Sequence, residues 1–133
     1  MTAWQITTAS GGGRFERIGS YVRAKRVGPF VFVSGTTAIE PSGRLHAPGD
    51  TYAQTVYVLA RIARALDDVG SSLAAVVRTT AYLSDMSTAG GYVRAHGEVF
   101  AGIEPTATAV GATLTVPGMM VEIEVQAIVT GDA

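Results

Sequence analysis

The segment Val121-Glu122-Ile123-Glu124-Val125 alternates carboxylates with branched apolar residues, so as a strand it turns both glutamates to one face. A carboxylate in a partly dry cleft can take a proton from water and give it back, provided its pKa suits the task. Near the other end of the chain, Tyr21, Arg23 and Lys25 alternate with Val22, Ala24 and Arg26, which places a phenol beside a guanidinium on one strand face. Ser34 and Gly35 interrupt a β-branched and aromatic run, and a glycine there marks a bulge or a close backbone approach. Arg94 and His96 stand two residues apart on a helical segment and so do not share a face, while His46 lies in a loop. Two histidines without a carboxylate cluster make a poor metal site, and neither a metal nor another cofactor is expected. With no cysteine there is no thiolate nucleophile and no disulfide. The scattered glycines match no phosphate-binding loop, and no Gly-x-Ser-x-Gly elbow is present.

These residues need a sheet to hold them. AWQITT alternates weakly and reads as a first strand, followed by the Gly-rich loop ASGGGRFERIGS. YVRAKRVG and FVFVSGTTAI form a hairpin that turns at Gly28-Pro29. A first helix opens at Thr51, where Thr51 and Gln54 have capping-box spacing and Asp50 is the alternative cap. Its stripe is Val56, Leu59, Ile62, Ala63, Leu66 and Val69, and Gly70 ends it. LAAVVRTTAYLSD reads as a strand with Val77, Thr79, Ala81 and Leu83 on one face. A second helix spans roughly 87–101, weakened by Gly90, Gly91 and Gly97, of which Gly97 is the candidate for close packing. TATAVGATL and MMVEIEVQAIV are the last two strands. The order β-β-β-α-β-α-β-β predicts one α+β domain over 1–133, a mostly antiparallel sheet with both helices on one face. The other face is then bare and apolar, which calls for assembly.

Composition points the same way. The chain has 133 residues, 47% apolar and 16% charged, more apolar surface than one domain of this size hides alone. A net charge of −1 gives no global attraction for nucleic acid or an anionic membrane. The one local exception is the basic stripe Arg14, Arg17, Arg23, Lys25 and Arg26. No signal peptide or membrane-spanning run is read, and a cytoplasmic location is expected.

The pieces GSYVRA, VFVSGTTAIEPSG, the run from Tyr52 to Met86, VRAHGEVF, EPTATAV and VPGMMVEIEVQAIV occur in this order. Together they resemble the RidA/YjgF family of reactive intermediate deaminase-type proteins across about 21–129. The resemblance implies a chorismate-mutase-like fold, a homotrimer around a central sheet barrel, and small-molecule sites in clefts between subunits. It implies hydrolysis of short-lived enamines and imines to ketones and ammonia. It also implies roles. Glu122 falls at the position that orients the attacking water. Tyr21 matches the tyrosine of the family's Gly-Pro-Tyr segment, with Ser20 in place of the proline. Ser34 and Gly35 match a Ser-Gly pair whose backbone helps polarise the substrate. Glu124 is expected to be structural, and His96 is either a packing or a proton-transfer group.

One position departs from the pattern. The family's Pro-x-Arg-Ser segment grips a substrate carboxylate through its arginine, and here it reads Pro105-Thr106-Ala107-Thr108. An alanine has no paired N–H donors for a carboxylate. Arg94, where the family usually has asparagine, and Arg23 are the candidate replacements. Two functions follow: an imine or enamine hydrolase or isomerase with an altered substrate class, or a non-catalytic trimer that binds a small molecule or a protein. Ribonuclease activity, credited to some family members, has only the basic stripe in its favour.

Overall fold

The computed structural model describes residues 3–131. The elements are β1 (Ile6–Ala9), α1 (Arg14–Gly19), β2 (Ala24–Val27), β3 (Phe30–Thr37), α2 (Thr51–Asp68), β4 (Val76–Leu83), α3 (Ala89–Val99), β5 (Thr106–Gly111) and β6 (Val121–Ile128). One sheet holds all six strands in the order β1-β2-β3-β6-β4-β5. Every pairing is antiparallel except β4 with β5. The last strand thus lies in the middle of the sheet, and Glu122 and Glu124 lie on it between β3 and β4.

The α+β architecture is the expected one, with α2 and α3 stacked together over one sheet face. Val121, Ile123, Val125 and Ala127 of β6 turn inward against Leu59, Ile62 and Leu66 of α2, all of them buried. Each fully buried aliphatic side chain contributes about 1.5–3 kcal/mol, so this seam dominates the packing. α2 starts at Asp50, whose carboxylate accepts from the Ala53 N–H. It stops at Gly70, where φ is +78° and the Ser71 and Gly70 N–H groups close back on the Leu66 and Asp67 carbonyls.

Several local expectations need correcting. Gln54 makes no capping box. It is wholly buried, donates to the carbonyls of Ala47 and Gly118, and accepts from the Met120 N–H, which ties the loop before β6 to α2. Val56 is exposed because the buried stripe runs through Val58, Leu59, Ile62, Ala65 and Leu66. Val77 is also exposed, since a register irregularity between Val76 and Arg78 turns Val76 inward in its place. The close-packing glycine of α3 is Gly91, where a Cβ would lie 3.0 Å from the Tyr52 nitrogen; around Gly97 the space is open.

The largest difference is α1, inside the stretch read as loop. It has no side-chain cap and three preceding glycines. Tertiary contacts hold it instead. Glu16 is buried, accepts from the Gly11 N–H at 2.9 Å and the Ser10 hydroxyl at 3.3 Å, and pairs with Arg23 at 3.4 Å. Tyr21 and Arg23 consequently precede β2 and share no strand face: Arg23 is buried and Tyr21 is 43% exposed.

The second sheet face is bare, as expected. Phe30, Phe32, Val110 and Ile128 are exposed on it beside the two glutamates. Among the described residues no helix is long and apolar enough to cross a membrane.

Gln54→Leu keeps the volume, leaves the Met120 N–H without its partner and takes one of two donors from each of the Ala47 and Gly118 carbonyls, so it is expected to cost about 1–3 kcal/mol. A urea melt with an unchanged slope and a lowered midpoint is the corresponding readout.

Candidate active site

Gly35 sits in the bulge that the sequence suggests. The register of β3 on β6 shifts between Val33 and Thr36, leaving Ser34 and Gly35 outside the regular ladder. The bulge has a purpose that the pairing alone does not reveal. A Cβ on Gly35 would collide with the Glu122 carboxylate, which therefore lies directly on the glycine backbone. Glycine here serves close approach, since its φ is not in the left-handed region.

Four hydrogen bonds from three side chains fix the bulge. Arg23 Nη1 donates to the Gly35 carbonyl at 2.7 Å and to Thr36 Oγ1 at 3.1 Å. The Thr36 hydroxyl donates to the Ser34 carbonyl at 2.7 Å. The Ser34 hydroxyl donates to the Val22 carbonyl at 2.7 Å, so it holds the chain and is not a free nucleophile. Tyr21, placed by the left-handed turn at Ser20 that ends α1, stands with its ring 5.9 Å from the Arg23 guanidinium.

Glu122 is half-buried. Burial pushes its pKa above the ordinary carboxylate range, the Arg23 charge opposes that rise, and the neighbouring Glu124 adds to it. Such a group exchanges protons closer to neutrality than a solvated glutamate does. Glu124 is engaged elsewhere: it accepts from the Tyr82 hydroxyl at 2.5 Å, and this contact raises the Tyr82 pKa. That agrees with a structural role for Glu124.

Glu122, Gly35, Ser34, Arg23 and Tyr21 thus come together at one end of the sheet. Two expected partners do not join them. Ala107 is in register with Thr79, whose side chain is buried under α3, so it points to the helix side of an uncovered edge strand. Glu122 is in register with Tyr82 and points to the bare face. Two strands and three residues separate their positions, about 14 Å at ordinary sheet spacings. Arg94 is exposed on α3 and stacks 3.7 Å from the Tyr52 ring centroid, itself tied to Glu98. Within one chain it answers the description of a surface cation.

The histidines are accounted for by packing. His96 Nε2 is hydrogen-bonded to Thr79 Oγ1 at 2.8 Å between the rings of Tyr92 and Phe100, and burial lowers its pKa. His46 stacks on Tyr57 and pairs with Glu40 at 3.0 Å. Among the described residues no cluster suited to a metal ion is found. The basic stripe is interrupted, with Arg14, Arg17 and Lys25 exposed but the other two engaged inward. Arg23 is buried, and Arg26 donates to the carbonyls of Gly28, Val69 and Gly70. Sequence reasoning missed Glu16, because nothing in a Gly-rich stretch marks one glutamate as the buried partner of an arginine seven residues on.

The family model described as Endoribonuclease L-PSP matches residues 12–129. The chain belongs to this family, that of the RidA/YjgF proteins. A Mycobacterium tuberculosis protein of the YjgF/YER057c/UK114 family has a solved structure 39% identical in sequence, with a TM-score of 0.85 over 94% of this chain and 100% of that one. A RutC family protein of Pyrococcus abyssi is 33% identical over 80% of this chain and 84% of its own length. The 2-iminobutanoate/2-iminopropanoate deaminase of Mus musculus is 29% identical over 84% of this chain and 82% of its own.

Two outcomes follow from this geometry. Gly35→Ala is expected to destabilise the protein, and much less so in a Glu122→Ala background, because the clash is with that carboxylate; a double-mutant melting cycle reads the coupling. Glu122 has a folded pKa above its unfolded one. Its favourable contribution is therefore complete below the unfolded value, about pH 4, and is lost as pH rises through the folded value. Glu122→Gln should match the wild type near pH 4 and melt higher than it at neutral pH.

Proposed function

We propose that this RidA/YjgF protein hydrolyses, or isomerises, a small enamine, imine or related carbonyl metabolite in a cleft between subunits of a homotrimer. The observation that carries the proposal is the Glu122 carboxylate, half out of water, raised in pKa and pressed onto the Gly35 backbone. In hydrolysis, water adds to the C=N carbon while Glu122 takes its proton. With the C=N nitrogen already protonated, this gives a neutral amino alcohol; Glu122 then returns the proton to the nitrogen and takes the hydroxyl proton as ammonia leaves and the ketone forms. The Ser34–Gly35 backbone polarises the substrate, and Tyr21 supplies a hydroxyl at the mouth.

The naming of the mouse relative as an iminobutanoate and iminopropanoate deaminase supports the reaction class. Ala107 supports a change of substrate: without the arginine fork, an α-carboxylate loses its paired donors. The exposed apolar face carrying Phe30, Phe32, Val110 and Ile128 supports the trimer. In such an assembly, position 107 of a second copy completes the pocket that one chain leaves open. Arg23 is committed to Gly35 and Glu16, so its part is to position the bulge.

The alternative, a trimer that binds without turnover, is favoured by Ala107 alone. The test is competition with semicarbazide for freshly generated imines, one set from amino acids and one from amines without a carboxylate. The expected result is acceleration of the carboxylate-free set and a fall of at least about a hundredfold in Glu122→Ala, the scale of a lost general base. Wild type inert towards both sets would favour the binding module.

A further inference from the structure

A second cavity, of about 420 Å3, opens between the end of β1 and α2, and neither Glu122, Gly35 nor Tyr21 takes part in its walls. Ser10 and Gly11 form one side. Tyr57, Arg61, Arg64 and Asp68, on successive turns of α2, form the other, and Arg23 reaches in between.

The charges in this cavity do not cancel. Arg23, with a side chain only 10% exposed, is committed: its Nε faces the Glu16 carboxylate at 3.4 Å and its Nη1 donates to Gly35 and Thr36. Arg64 pairs with Asp68 at the rim, 3.8 Å away. Arg61 is half-buried and donates to the Thr37 carbonyl at 2.6 Å; among the described residues no carboxylate lies within ion-pair distance of it. Burial and then the charge of Arg23 lower its pKa, and Tyr57 and Glu16 oppose that fall. A cation held partly out of water is stabilised by an anion that can reach it, and the planar guanidinium fork matches a carboxylate or phosphate edge. The volume suits a small metabolite.

We infer that this cavity is a second ligand site, which takes a small oxyanion, a carboxylate or phosphate group, on the guanidinium fork of Arg61. Neither Glu122 nor Gly35 lines it.

Titration of the full chain with inorganic phosphate and, separately, acetate, followed by 1H–15N NMR, tests it and identifies the oxyanion. Saturable binding of at least one is expected, with shifts at Ser10, Gly11 and Arg61. Arg61→Gln should weaken it at least about tenfold, and Arg64→Gln by no more than about twofold. Arg61→Lys keeps the charge but not the fork and should bind at an intermediate level; it decides the matter if Arg61→Gln fails to fold. Glu122→Gln should bind as the wild type does, which separates this site from the proposed reaction. No saturable binding of either anion, or equal binding by wild type and Arg61→Gln, would overturn the inference.

Discussion

The contact between the Glu122 carboxylate and the Gly35 backbone is the constraint around which this end of the molecule is arranged. A charged group half out of water is costly unless it is paired or neutralised. Here Arg23 stands near enough to moderate the rise in the Glu122 pKa but gives its hydrogen bonds to Gly35 and Thr36 and its ion pair to Glu16. The cation therefore tunes the carboxylate without quenching it. A direct Arg23–Glu122 ion pair would depress the pKa and remove the proton affinity that the proposed chemistry needs.

The same constraint explains a short helix that local propensity does not favour. α1 exists because Glu16 must be buried against Arg23, and its carboxylate in turn gathers the Gly11 N–H and the Ser10 hydroxyl. The helix ends in a left-handed Ser20, which directs Tyr21 back over Arg23. One buried ion pair thus sets the backbone of the glycine-rich segment, the place of Tyr21 and the shape of the bulge. Breaking such a pair by removing one partner leaves an uncompensated charge, so its members are coupled.

What could be read in the sequence divides along physical lines. The β6 alternation, the α2 stripe, the Gly70 stop and the β2–β3 hairpin are local patterns that tertiary packing reinforces, and they stand. Gly35 was legible as a bulge or close approach, and it proved to be both. Val77 and Val56 were misread because a ladder irregularity and a rotated stripe depend on neighbours far along the chain. Glu16 and Arg61 carry no mark in the sequence, and Gln54 reads there as a capping-box residue, since each gains its meaning from a partner 7, 24 or 64 residues away. At the site, the convergence of Tyr21, Ser34, Gly35 and Glu122 was legible through the family pattern. The engagement of Arg23 was not.

Ala107 shows why loss of the arginine leaves the fold untouched. β5 is an edge strand, exposed at every residue, joined to the sheet only through β4. A side chain there contributes little to the core, so arginine or alanine changes stability by no more than an ordinary surface substitution, within about 0.5 kcal/mol. Glu122, by contrast, sits on a central strand against the Gly35 bulge that Arg23 holds. The two positions thus stand under different physical constraints: Glu122 is locked into the middle of the sheet against the Gly35 bulge, whereas position 107 is carried on an exposed edge where a change of side chain costs the fold little.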